Sequence, residues 1–284
     1  MSYLHSLLSL SHYPLLIKNN LRRLYDDNFF QLRVLIYHDI PVLEQELFRK
    51  QILWLKKKWK FISPDEFCEV ISGNRILHGR NLLLTFDDGF KSNRRIAEEI
   101  LNPLNLKALF FIVSDFVSLK KSDEIKKFIS TNIHPGIELN KISDDWKNMN
   151  WSDIEFLIEN GHKVGAHTKT HARLSRLHNK ELLEEEICES ADYIQKKIGV
   201  PVEHFAYTFG NLESFSKEAL EIAKKRFKFI YTGMRGHNTN NTWAIHRDAI
   251  SPKNTNNLVG AFLEGGADIL YKKKIQVYKK WGRN

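Results

Sequence analysis

Cysteine is scarce: Cys68 and Cys188 are the only two in 284 residues. They stand far apart and outside any metal-ligand spacing, so a disulfide scaffold is excluded and a reducing compartment is the simpler expectation. No run of about 18 apolar residues occurs, which excludes an ordinary membrane-spanning helix. Linkers rich in Pro, Gly or Ser and internal repeats are also missing, so one domain is expected. Acidic residues are outnumbered, 34 Asp+Glu against 43 Lys+Arg, for a formal net charge of +9. The apolar start, residues 1–16, has no Lys or Arg before it and no small-x-small site after it, so it does not read as an export signal. Leu4, Leu7, Leu8 and Leu15 sit instead at helical spacing and predict an amphipathic first helix packed on the domain.

What is present fits a globular protein. Hydrophobic residues make up 42% and charged residues 27%, and the length is ample for a buried core. The positive charge concentrates at residues 271–284, where Lys272, Lys273, Lys274, Lys279, Lys280 and Arg283 have no acidic neighbour. Such a run reads either as a solvated C-terminal helix or as a docking segment for an anionic membrane surface. In the second case each Lys or Arg contributes about 1 kcal/mol, and Tyr271, Tyr278 and Trp281 suit the interfacial zone. No nucleic-acid-binding module is visible, so nucleic acid is not an expected partner.

Strand-like and helix-like stretches alternate along the chain. Strands are predicted at residues 32–37, 82–86, 107–113, 163–166, 204–207, 228–231 and 243–249, and helices at 44–59, 93–101, 180–198 and 216–226. Ser63-Pro64-Asp65-Glu66 reads as a capping box, as does Ser152 with Glu155 before a helix closed by Gly161. About seven strands with helices between them imply a parallel sheet or an α/β barrel. Residues 114–150 are long and polar, and read as an insertion of the kind that forms a substrate-facing lid.

Thr85-Phe86-Asp87-Asp88-Gly89 closes one buried strand, where α/β folds place their sites. Side chains alternate along a strand, so adjacent aspartates divide labour: one binds a metal and its neighbour handles a proton. Asp-Asp-Gly is also good turn chemistry. His167-Thr168-Lys169-Thr170-His171 follows another strand, and imidazoles four apart can share a metal. With 12 histidines in the chain, that spacing alone says little; its force lies in following a strand. One Asp and two His leave an open position on zinc, the arrangement of a catalytic centre.

These residues resemble the first two motifs of the polysaccharide deacetylases, the NodB-homology carbohydrate esterases. Tyr37-His38, residues 108–113 and residues 151–162 agree, and Phe205-Ala206-Tyr207-Thr208-Phe209-Gly210 resembles the third motif. The resemblance spans residues 32–251. It implies a distorted (β/α)7 barrel at residues 31–251, with an N-terminal helical extension at 1–30 and a basic C-terminal helix or tail at 252–284. It also implies metal-dependent removal of an N-acetyl group from a sugar, with Asp87 as general base and Asp88, His167 and His171 as ligands of a divalent ion. Zinc is the expected ion; nickel and cobalt suit similar ligands. Backbone N–H near Phe209 would face the oxyanion. His246 is the expected general acid, with His237 second, and His38, Tyr207, Phe209 and Arg247 are expected to line the substrate site.

Three features depart from the family pattern. Thr208 stands where related strings carry Pro, and the Arg that tunes the catalytic aspartate is missing from the third motif. The Asp-Trp string of the fourth motif has no match, since Asp144-Asp145-Trp146 lies in the insertion. The expected function is deacetylation of an N-acetylated sugar or a lipid-linked saccharide intermediate of a surface-glycan pathway. The expected location is the cytoplasm or the inner face of a membrane. Deformylation or O-deacetylation on the same site, or non-catalytic glycan binding, are the alternatives.

Overall fold

The computed structural model describes residues 3–240, 242 and 244–282. Trp243, expected to open the last strand, and Arg283, counted in the basic tail, lie outside the described residues. Nine strands among the described residues form one all-parallel sheet. They are β1 (Phe30–Tyr37), β2 (Lys60–Phe61), β3 (Gly79–Phe86), β4 (Ala108–Ile112), β5 (Lys163–Ala166), β6 (His204–Ala206), β7 (Phe229–Tyr231), β8 (Ala244–Ile245) and β9 (Asp248–Ala249). The order is β8-β7-β6-β5-β4-β3-β1-β9, with β2 beside the early part of β3.

The strand expected at 243–249 is thus two short strands. β8 pairs with β7, and two residues later β9 pairs with β1. One extended run therefore bridges both edges of the sheet and curls it into the distorted barrel that the family resemblance implied. The break falls at His246-Arg247.

Alternation along the strands sorts side chains into two layers. Leu32, Val34, Leu83, Leu109, Phe111, Ala206, Tyr231 and Ile245 fill the barrel, joined by Phe67, Val70 and Ile71 of the helix Pro64–Ile71. Its Ser63–Glu66 capping box is present as expected. Leu82, Leu84, Phe86, Phe110, Ile112 and Val164 face outward under the surrounding helices. Gly165 is required inside: a Cβ there would lie 2.6 Å from the Phe111 ring.

Several helices differ from expectation in detail. The helix Trp151–Glu159 is capped by Asn150 with Asp153, two residues before the expected pair. The stretch expected as one helix at 180–198 carries a widened turn at Glu185–Glu189 and ends on Gly199 in the left-handed region. The first helix, Tyr3–Tyr25, runs through Pro14 and packs on the helix Asn256–Leu263. At the other end, the helix Asp268–Trp281 turns Tyr278 into the core, with Tyr271, Ile275 and Trp281 packed against it. The aromatics expected at a membrane surface are therefore committed to the protein, and Lys272, Lys273, Lys279 and Lys280 face outward. No helix among the described residues is long and apolar enough to cross a membrane.

Candidate active site

The carboxyl ends of the strands surround a cavity of about 230 Å³ lined by Ile36, His38, Asp87, Asp88, His167, His171, Tyr207, Phe209 and Arg247, among others. Strand parity explains most of this set. Leu32, Val34 and Ile36 point inward on β1, and His38 continues that face beyond its end. Leu83 and Thr85 do the same for Asp87, and Gly165 for His167.

Asp88 breaks the alternation. Its φ is +75°, and that of Gly89 is +100°, so the chain turns back on itself and aims both carboxylates at one pocket. The conformation is costly for a residue with a Cβ and is the sort that clusters at functional sites. His171 and Phe209 also have positive φ, 63° and 60°.

Asp88 Oδ1 lies 3.6 Å from His167 Nε2 and 3.4 Å from His171 Nε2. The three side chains are buried, and their candidate ligand atoms fall within 4.8 Å of one another. Both imidazoles are oriented from behind. His167 Nδ1 lies 2.8 Å from Ala206 O, and His171 Nδ1 lies 2.8 Å from Asn132 O. A carbonyl only accepts, so each Nδ1 carries a proton, and in the neutral imidazole this leaves Nε2 with its lone pair facing Asp88. Asp88 Oδ1 is buried without a hydrogen-bond partner. One oxygen and two nitrogens converging as acceptors lack a cation between them, and this donor set fits a divalent metal.

Burial works to raise the Asp88 carboxyl pKa, but His171, His38 and His167 together hold it far below the usual carboxylate range. Burial pushes His167 down to about 4. For His171 burial also works downward, yet the contact with Asp88 outweighs it and the pKa is raised.

Asp87 is held differently. Arg247 grips it with two bonds, Nη1 to Oδ1 at 2.8 Å and Nη2 to Oδ2 at 2.9 Å. Arg247 also donates to Thr232 O and to Thr85 Oγ, and its guanidinium lies over the rings of Phe111 and Tyr231. Burial favours the neutral acid, but Arg247, with His167 and His38, brings the Asp87 pKa below its ordinary value. An arginine thus reaches Asp87 from the break between β8 and β9, not from the third motif. Arg247, expected among substrate-lining residues, lines the cavity and engages Asp87.

His246 does not reach this cavity. Ile245 and Arg247 point into the barrel, so His246 between them points out, where its ring packs against Gly236. His237 is also elsewhere: its Nδ1 accepts from Leu32 N, on the first part of β1. The expectation that either is the general acid is corrected by this geometry. His38 and His134 are the additional imidazoles lining the cavity, and His38 is solvent-exposed.

Residues 114–150 also reach the site. Besides the Asn132 carbonyl on His171, Asn132 Nδ2 donates to Thr170 O at 2.8 Å. Ile133 and His134 line the cavity, and His134 sits against Phe90 and Trp146. From the opposite side Glu186 accepts from Lys169 N, Thr170 N and Thr170 Oγ, clamping the loop between the two histidines. Sequence reasoning missed Asn132, His134 and Glu186. Only Glu186 left a signal, as an acid facing inward on a helix.

A parallel barrel with an Asp-His-His cluster and a clamped aspartate at its mouth defines the carbohydrate deacetylase class. The polysaccharide deacetylase family model matches residues 75–226, more than half of the chain, and the chain belongs to that family. Comparison with curated proteins gives no match. Similar solved structures include IcaB from Ammonifex degensii, 22% identical with a TM-score of 0.66, covering 83% of this chain and 97% of that one. The deacetylase PplD from Streptococcus pyogenes, in complex with acetate, is 20% identical with a TM-score of 0.63, covering 82% and 98%. A de-N-acetylase from Aggregatibacter actinomycetemcomitans is 18% identical with a TM-score of 0.65, covering 82% and 100%. At these identities the likeness establishes the fold.

Proposed function

We propose that this protein removes an N-acetyl group from an amino sugar of a surface glycan or lipid-linked saccharide, with a divalent metal, zinc first, held by Asp88, His167 and His171. The observation that carries the proposal is the unpartnered, buried Asp88 Oδ1 facing two imidazole Nε2 atoms, next to an arginine-clamped Asp87 in one cavity. When bound there, a divalent ion supplies Lewis acidity, polarising an acyl carbonyl and acidifying water.

The chain's own groups do the rest. Asp87, kept ionised and fixed in direction by Arg247, takes the proton of the attacking water as general base. The backbone N–H near Phe209, in its left-handed turn, faces the developing oxyanion. His38, exposed at the mouth of the same cavity, protonates the leaving amine in the role expected of His246. Tyr207 and the rings around Phe209 form the wall against which the sugar lies. Arg173, 4.1 Å from the Phe209 ring centroid, stiffens that wall.

Metal-loaded wild type and Asp87→Asn are to be compared on N-acetyl, N-formyl and O-acetyl sugars, measuring released acid and free amine. Acetate with matching free amine, from wild type alone, is the expected result. Release from esters only makes the protein an O-deacetylase, and formate release only makes it a deformylase. Binding of glycan without any release overturns the enzymatic reading.

A further inference from the structure

The helix Tyr3–Tyr25 is apolar on two opposite faces. One face is used: His5, Leu8, His12, Leu15 and Asn19 recur every three or four residues and meet the last helices of the chain. The ring of His12 is seated on Gly260, where a Cβ would fall 2.2 Å from its Nε2. Asn19 Nδ2 donates to Glu264 Oε2 at 2.7 Å, and Gly266 nestles against Ser11 and Leu15. The opposite face carries Leu7, Leu10, Tyr13, Ile17, Leu21 and Leu24, all left exposed among the described residues. Leu10 is 74% exposed, Ile17 59% and Leu24 75%. A helix apolar on two opposite faces belongs in contact on both, and a continuous exposed stripe of this length marks an interaction surface.

We propose that this stripe docks the protein on an anionic phospholipid surface. The first 25 residues contain no Asp or Glu, with Asp26 and Asp27 directly after them, while Lys18, Arg22 and Arg23 are exposed on the same helix. An apolar face flanked by cations, with Tyr13 and Tyr25 exposed along it, has the composition of a helix lying in the interfacial plane. The outward lysines of the helix Asp268–Trp281 add attraction of the same sign. A second copy fits less well. Two such helices face to face would bring their cations together with only Asp26, already 3.7 Å from Arg22, to offset them, and Pro14 would sit in the seam. The inference is independent of the catalytic reading, because its readout is lipid binding.

The full chain is sedimented with vesicles of phosphatidylcholine alone and with added phosphatidylglycerol. Two variants accompany it: Leu10→Ser/Ile17→Ser/Leu24→Ser, all at exposed positions, and Lys18→Glu/Arg23→Glu. Wild type is expected on the anionic vesicles, and the apolar triple variant is expected to lose affinity by at least about tenfold at an unchanged melting temperature. The charge variant should bind more weakly, with less dependence on salt. Wild type that stays in solution with anionic vesicles overturns the proposal. So does a triple variant that binds as well as wild type. A wild-type dimer that becomes monomeric in the triple variant assigns the stripe to a second copy and overturns it too.

Discussion

Two buried Arg–Asp pairs share one short stretch of chain and do different work. Arg247 points into the barrel and holds Asp87 at the cavity. Asp248, the next residue, points outward and takes two bonds from Arg33, at 2.8 and 2.7 Å. Arg33 also reaches Asp268 and Phe262 O. The outer cluster is closed on itself: every Arg33 nitrogen has a partner, and the groups it joins belong to β1, β9 and the last two helices. The inner cluster is open, since Asp88 Oδ1 beside it has no partner. A closed buried ion pair holds the wall together; an open one next to a cavity is set up for a ligand.

Breaking the two pairs should therefore fail in different ways. The largest effect is expected from Asp87→Asn. Deacetylation should fall by about 10²–10⁴-fold in the folded protein, and some stability is lost with it, because the buried Arg247 guanidinium then faces an amide in place of its carboxylate. A loss of activity that merely tracks unfolding would contradict the division. Arg33→Met comes next: it leaves buried Asp248 with Arg235 alone, 3.2 Å away, and should cost about 3 kcal/mol in urea unfolding. An Arg33→Met protein as stable as wild type would mean that the outer cluster is not a latch.

Acid offers a third contrast, because the wall also buries neutral histidines. His162 accepts from Ala108 N, His204 contacts Tyr231 Oη, and burial lowers both pKa values to about 4. The unfolded chain takes up these protons near pH 6.5, the folded protein only near 4. Their contribution is thus fully present above about pH 6.5 and is lost as pH falls toward 4, on the order of 2–3 kcal/mol per histidine. Denaturation midpoints at pH 7 and pH 4.5 measure it, and flattening of the slope in His204→Gln would assign its share. The smallest effect is expected from Arg247→Lys. It keeps the charge but loses the two-pronged grip on Asp87, lowering turnover by about tenfold. Unchanged turnover would leave only charge, not orientation, to Arg247.

The parts of this site that were legible in the sequence are those that are contiguous in it. Asp87 and Asp88 follow one strand, and His167 and His171 another, so position made them candidates and the family resemblance gave them roles. The alternation of elements implied a parallel sheet or an α/β barrel, and the resemblance chose the barrel. What was not legible depends on closure. Residues 243–249 read as one strand, and a single sequence does not say which of its alternating side chains face inward; His246 and Arg247 were therefore weighed without their parity. Asn132 acts through a backbone carbonyl, which no side-chain pattern reports. The second apolar face of the first helix was visible as leucines, but only the packed structure distinguishes the leucines that meet the protein from those that do not.

The central claim is that Asp88, His167 and His171 form a metal site. Elemental analysis of tag-free wild type and Asp88→Ala, after loading with zinc and dialysis, tests it most directly. Near-stoichiometric zinc in wild type, lost in Asp88→Ala with the fold intact, is the predicted result. A wild type that retains no divalent ion, or an Asp88→Ala protein that retains as much as wild type, would contradict it.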